Sequence, residues 1–123
     1  GKPLFGSSGR AVTTQDVTFF SRQIATMMAS GVPIVQAIEI LAQGQKNPRF
    51  KEMLNTLRDE IAGGSAFSEA LKRYPVQFNE LYRNLVKTGE GAGVLDTVLD
   101  TLATYLERIQ ALKGKVKKAL FYP

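Results

Sequence analysis

The sequence predicts an all-α fold of about six antiparallel helices in a bundle-like array, ending in a long C-terminal helix. Three observations carry this. Apolar residues recur at spacings of three and four in successive segments. No stretch alternates with period two over a strand's length. Each periodic segment is bounded by glycine, proline or a capping side chain, and helices joined by turns that short pack antiparallel.

Residues 1–12 contain Gly6-Ser7-Ser8-Gly9 and no periodicity, so they are expected to form a flexible linker ahead of a helical domain over 13–118. Thr13, with Asp16 three residues on, is a capping arrangement that opens a first helix over about 14–30. Its buried stripe is Val17, Phe20, Ile24 and Met27, widened by Phe19 and Met28, with Gly31 as the C-cap. Pro33 then opens a second helix at a first-turn position, with Ile34, Ile38 and Leu41 inward and Gly44 at its end.

Asn47-Pro48 is an N-cap and N1 pair for a third helix, which buries Phe50, Met53, Leu54, Leu57 and Ile61 and stops at Gly63-Gly64. Ser65 is expected to cap a short fourth helix through Phe67, Ala70 and Leu71 that ends before Pro75. Phe78 is expected to staple over Asn79, the cap of a fifth helix with Leu81, Tyr82, Leu85 and Val86 on its buried face.

A glycine-rich corner from Gly89 to Asp96 follows, and then the longest helix, about Val94 to Lys118. There Leu95, Leu99, Leu102, Leu106 and Ile109 form a seam of alternating fours and threes that reaches Lys113. A second row, Val98, Tyr105 and Leu112, widens the stripe beyond what a two-stranded coil needs, which favours packing across a bundle. The far end stays open to a partner, so a homo-oligomer is also expected. The Gly31 and Gly93 corners resemble each other, each leading through valine to an apolar helix, but too faintly for an internal repeat.

Composition narrows the function. Hydrophobic residues at 44% and charged residues at 22% are ordinary globular values. There is no cysteine and no histidine, which removes disulfides, thiol catalysis and the commonest general base and metal ligand. An enzyme is therefore not expected, and no catalytic residue, cofactor or metal is assigned. The net charge of +5 is concentrated, with +4 lying between Glu107 and Pro123. Lys113, Lys115, Lys117 and Lys118 lead into the apolar residues 119–123, an arrangement that fits the cytoplasmic approach to a membrane helix cut short by the end of the sequence. The alternative is a helical nucleic-acid-binding module using those lysines with Phe121 and Tyr122. A nearly neutral body without a basic face weighs against it, and nucleic acid is not an expected partner.

Gly89-x-Gly91-x-Gly93 is not expected to cradle phosphate, because a helix precedes it, no lysine follows, and Glu90 and Asp96 would repel an anion. Asp96 and Asp100, four apart near Glu90, could share a hard cation, but an acid in a first helical turn already complements the helix dipole. Arg22 is read either as an exposed charge, as a tie from the first helix to Glu90, or as part of a docking face.

Arg22-Gln23-Ile24-Ala25 with Ser30-Gly31-Val32-Pro33 resembles the Arg-Gln-Leu-Ala…Gly-(Leu/Val)-Pro signature of the bacterial PilC/GspF family. These are inner-membrane platform proteins of type IV pilus and type II secretion machines. The resemblance continues through Ala37-Ile38-Glu39-Ile40-Leu41, Phe67-Ser68-Glu69-Ala70-Leu71 and Tyr74-Pro75. It extends to Gly89-Glu90-x-x-Gly93-x-Leu95-Asp96 and Lys118-Ala119-Leu120-x-Tyr122-Pro123. It implies the first cytoplasmic domain of such a protein, a non-enzymatic scaffold at the bacterial inner membrane. The implied partners are the assembly ATPase, other inner-membrane components and pilins. The motif residues it marks are Arg22, Gln23, Gly31, Pro33, Gly89, Glu90, Gly93 and Asp96, and in some members a cation sits at a subunit contact.

Overall fold

A computed structural model describes residues 8–121; Gly6 and Ser7 of the expected linker, and Tyr122 and Pro123, lie outside it. Six helices follow in order: α1 (Thr14–Ala29), α2 (Ile34–Gln43), α3 (Pro48–Ala62), α4 (Phe67–Leu71), α5 (Glu80–Ala92) and α6 (Leu95–Phe121). There is no strand among the described residues.

The helices pack mainly in chain order, α1 on α2, α2 on α3 and so on to α5 on α6, and the extensive α1–α6 contact closes the ring. Inside the ring Phe20 is the hub of an aromatic cluster. Its ring centroid lies 6.2 Å from that of Phe67 and 5.5 Å edge-on from that of Phe78, which in turn lies 5.0 Å from Tyr82. Ile24, Ile38, Leu54, Leu57, Leu71, Val86 and Leu99 fill the remaining interior.

The predicted starts hold where the signal is local. Thr13 Oγ1 accepts the Asp16 N–H at 3.1 Å and Asp16 Oδ2 accepts the Thr13 N–H at 3.0 Å, a reciprocal box. Arg10 adds an ion pair to the same carboxylate at 2.6 Å. Burial pushes the Asp16 carboxyl up, but the Arg10 and Thr13 hydrogen bonds outweigh it and leave it below the usual range. Val12 packs against the core, and Asn47 Nδ2 donates to the Arg10 carbonyl at 3.0 Å. That bond uses only the amide nitrogen; the Asn47 Oδ1, the atom that would cap α3, is buried without a hydrogen-bond partner and makes no side-chain cap.

α1 ends one residue earlier than predicted. Ser30 is its cap and Gly31 follows at φ +94°, with the Val32 N–H returning to the Met27 carbonyl at 3.0 Å. The Gly93 corner repeats this closure, with φ +73° and the Val94 N–H on the Gly89 carbonyl at 2.9 Å. The echo between the two corners is thus a shared left-handed cap.

Three expectations about buried faces change. Phe19 does not widen the α1 stripe but is exposed, because Val17, Phe20, Ser21 and Ile24 are the α1 residues turned inward. Leu81 is exposed, because Tyr82, Val86 and Gly89 are the α5 residues turned inward. On α6 the seam is internal, with Leu99 and Leu102 buried and Leu95 and Leu106 half-buried against the core. The second row is not: Val98 packs inward, but Tyr105 and Leu112 face solvent.

Candidate functional site

The glycine corner is mostly helix. α5 runs through Gly89, Glu90 and Gly91 to Ala92, and only Gly93 and Val94 separate it from α6. Gly89 is buried where the two helices meet. A Cβ there would stand 2.8 Å from Val98 Cγ2 and 3.3 Å from the Leu95 Cα. Its role is close approach, while Gly93 supplies the positive φ that ends α5.

Glu90 points away from this joint toward α4. Its Oε1 accepts the Ser68 backbone N–H at 2.6 Å and its Oε2 the Ser68 hydroxyl at 3.3 Å. This corrects two expectations. Ser65 does not cap α4: its N–H closes the α3 terminus on the Glu60 carbonyl, and the cap residue of α4 is Ala66, which has no side-chain acceptor. The acceptor comes instead from α5, where a carboxylate meets the positive end of the five-residue helix. Nor is Glu90 the partner of Arg22.

Arg22 reaches α6. Its Nε and Nη2 donate to the two Glu107 carboxylate oxygens at 2.9 and 2.8 Å, a fork on a fork. Nη1 donates to Asp100 Oδ1 at 2.7 Å, and Nη2 also reaches Thr104 Oγ1 at 3.1 Å. Asp100, Thr104 and Glu107 lie four and three apart, hence on one face of α6. The hydrogen bonds to Glu107, then Asp100, hold the guanidinium further above its usual pKa, and the same contact with Arg22 holds the Glu107 carboxyl below the usual range.

A second cross-link is buried. Ser21 Oγ donates to the Val17 carbonyl at 2.8 Å, and its single proton is then spent, so the Tyr82 hydroxyl, 2.6 Å away, is the donor to Ser21. Burial pushes the Tyr82 phenol well above its ordinary pKa. None of these three tertiary links was identified from the sequence. The i, i+4, i+7 row of Asp100, Thr104 and Glu107 was the one available signal, and it points to a cation on a facing helix.

The remaining motif residues are dispersed. Gln23 is half-buried on α1, Pro33 is the exposed N-cap of α2, and Asp96 lies half-buried in the first turn of α6. Asp96 and Asp100 border an open groove of about 440 Å³, whose α1 wall is Ala25, Thr26, Ala29 and Ser30. Glu90 and Asp100 are drawn to Ser68 and Arg22 respectively, and no group of three or more acidic side chains among the described residues is placed to hold a metal. Lys113, Lys115, Lys117 and Lys118 are all exposed on the outer half of α6. No helix among the described residues is long and apolar enough to cross a membrane. The site is therefore a set of interhelical anchors beneath an exposed α1/α6 face.

The family described as type II secretion system protein F matches residues 20–123. The chain is 42% identical over 120 residues to the type IV pilus assembly protein TapC of Aeromonas hydrophila, covering 98% of this chain and 29% of that protein. It is 40% identical over 123 residues to PilC of Pseudomonas aeruginosa, covering all of this chain and 33% of the relative. It is 37% identical over 114 residues to the type II secretion system protein F of Vibrio cholerae, covering 93% of this chain and 28% of that protein. The chain thus spans a third or less of the length of these relatives. Since the match takes in most of α1 and every later helix, the chain belongs to the type II secretion system protein F family.

Proposed function

We propose that this chain is a cytoplasmic domain of a bacterial inner-membrane platform protein for type IV pilus biogenesis or type II secretion. It is a non-catalytic scaffold that docks the assembly ATPase and passes its motion to the parts that move pilins. The observation that carries the reading is the near-complete coverage of this chain by relatives named for type IV pilus assembly and for type II secretion. The composition supports a scaffold, since a chain with neither histidine nor cysteine lacks thiol nucleophiles and the commonest general base.

In this reading the motif residues divide by role. Arg22, Gly89, Glu90 and Gly93 hold the helices in register so that the ring moves as one body. Gly31 closes α1 and Pro33 opens α2, while Asp96 borders the α1/α6 groove available to a partner; Gln23 stands half-buried beside Arg22 on α1. The helical domain covers 13–118, with residues 119–123 beginning the approach to a membrane helix. A second copy and other inner-membrane components are further partners.

Calorimetric titration of the domain, and separately of the full-length protein, against the cognate assembly ATPase tests the proposal. Saturable binding is expected, weakened by charge reversal at Asp96. Absence of binding by both the domain and the full-length protein overturns it.

A further inference from the structure

α6 outruns the ring. The Gln110 side chain donates to Thr14 Oγ1 at 3.2 Å, level with the first residue of α1, and every residue from Ala111 to Phe121 is exposed. This overhang is not uniformly polar. With 3.6 residues per turn, Leu112, Val116 and Leu120 fall within an arc of about 80°. They are 61%, 52% and 75% exposed. Lys113 and Lys115 lie on the two margins of that arc, Lys117 and Lys118 stand further round, and no acid follows Glu107.

Charge decides what covers such a stripe. A second copy laid along it would bring lysine margins against lysine margins with no carboxylate to answer them, which opposes association. Nucleic acid would neutralise the lysines and leave the apolar stripe in water. An anionic lipid surface satisfies both halves. The aliphatic side chains enter the headgroup–acyl boundary, the lysine stems lie beside them, and the ammonium groups reach the lipid phosphates.

We propose that the overhanging half of α6 is a lipid-docking face, with Leu112, Val116 and Leu120 pressed sideways into an anionic leaflet and the flanking lysines fixing its rotation. The contact is peripheral and needs no spanning segment. It would set the tilt of the helical ring over the bilayer, a geometry that membrane attachment alone leaves free. The inference deepens the membrane side of the function proposed above and rests on it only for which leaflet is engaged. A failure of lipid docking leaves the ATPase titration untouched, and the reverse also holds.

The test is co-sedimentation of the 123-residue chain with vesicles of phosphatidylcholine alone and of phosphatidylcholine mixed with phosphatidylglycerol. Binding is expected on the mixed vesicles only, and replacing each flanking lysine by glutamine should weaken it about fivefold. The paired substitution Leu112→Ser and Val116→Ser, which leaves the charge unchanged, should abolish binding with an unchanged melting temperature, because both positions lie beyond the ring. Equal binding to both vesicle types overturns the proposal. So does binding that responds to the lysines but not to the apolar pair, or a dimer in light scattering that the paired substitution dissolves.

Discussion

Glu90 caps a helix to which it does not belong: its carboxylate takes the Ser68 N–H at 2.6 Å, joining the last turn of α5 to the first turn of α4. Helix formation is cooperative with a costly nucleus, so five residues cannot hold themselves helical in water. α4 depends on burial of Phe67, Ala70 and Leu71 and on this borrowed acceptor. Glu90→Ala should destabilise the domain by about 1–2 kcal/mol in urea unfolding. Amide exchange should show the loss concentrated in α4. Glu90→Gln keeps an acceptor and should lose less, whereas an unchanged stability for Glu90→Ala would show that the contact is incidental.

The glycines of the α5–α6 joint should respond in three different ways. Gly89→Ala forces a Cβ against the stiff Val98 side chain and the Leu95 backbone, and should cost about 1–3 kcal/mol. At Gly93 there is open space, and Gly93→Ala suffers only from φ +73°, about 1–2 kcal/mol. Gly93→Val should cost more still, because a β-branched side chain tolerates positive φ least. Gly91 is helical with nothing near its Cβ position, so Gly91→Ala should stabilise by up to about 1 kcal/mol. Thermal melts of the three variants check the order, and an unchanged melting temperature for Gly89→Ala would exclude close packing at the joint.

The same joint shows what a sequence conveys and what it withholds. Signals that act within one turn were legible: the Thr13–Asp16 box, the Asn47-Pro48 start and the Leu99–Leu102 seam all lie where local spacing puts them. Gly89-x-Gly91-x-Gly93 looked like a loop because glycine is a poor helix former. Packing against Val98 overrides that local cost and carries α5 through two of the three. The ties among the motif residues depend on how each helix is rotated, which no local pattern states. Arg22 meets Glu107 across 85 residues of chain, and Ser21 meets Tyr82 across 61.

Alkaline pH should expose the Ser21–Tyr82 link. The phenol is held above its ordinary pKa in the folded state, so the folded chain keeps a proton that the unfolded chain releases near pH ~10. The stability from this group is complete below that pH and declines as pH rises through the folded value. Tyr82→Phe should remove that part of the alkaline decline. At neutral pH its cost should be modest, about 0.5–1.5 kcal/mol, since Ser21 keeps its bond to the Val17 carbonyl. Urea unfolding of both proteins from neutral to strongly alkaline pH makes the comparison, and parallel curves would show that Tyr82 titrates freely.

Arg22 should behave as a clamp of geometry more than of charge. Its partners are well exposed, with Glu107 at 43% and Asp100 at 65%, so solvent screens the pairs and the coupling should be only about 0.2–1 kcal/mol. A double-mutant cycle of Arg22→Ala and Glu107→Ala measures it, and added salt should shrink it. Arg22→Lys should lose most of the coupling although it keeps the charge, because an ammonium cannot span both Glu107 oxygens and Asp100 together. The pH dependence has a fixed sign. Arg22 holds the Glu107 carboxyl below its ordinary pKa, so the contribution is complete above about pH 4.3 and disappears as pH falls through the folded value. If Arg22→Lys matches the unsubstituted chain in the cycle at neutral pH, the fork is dispensable and any cation at this position would join α1 to α6.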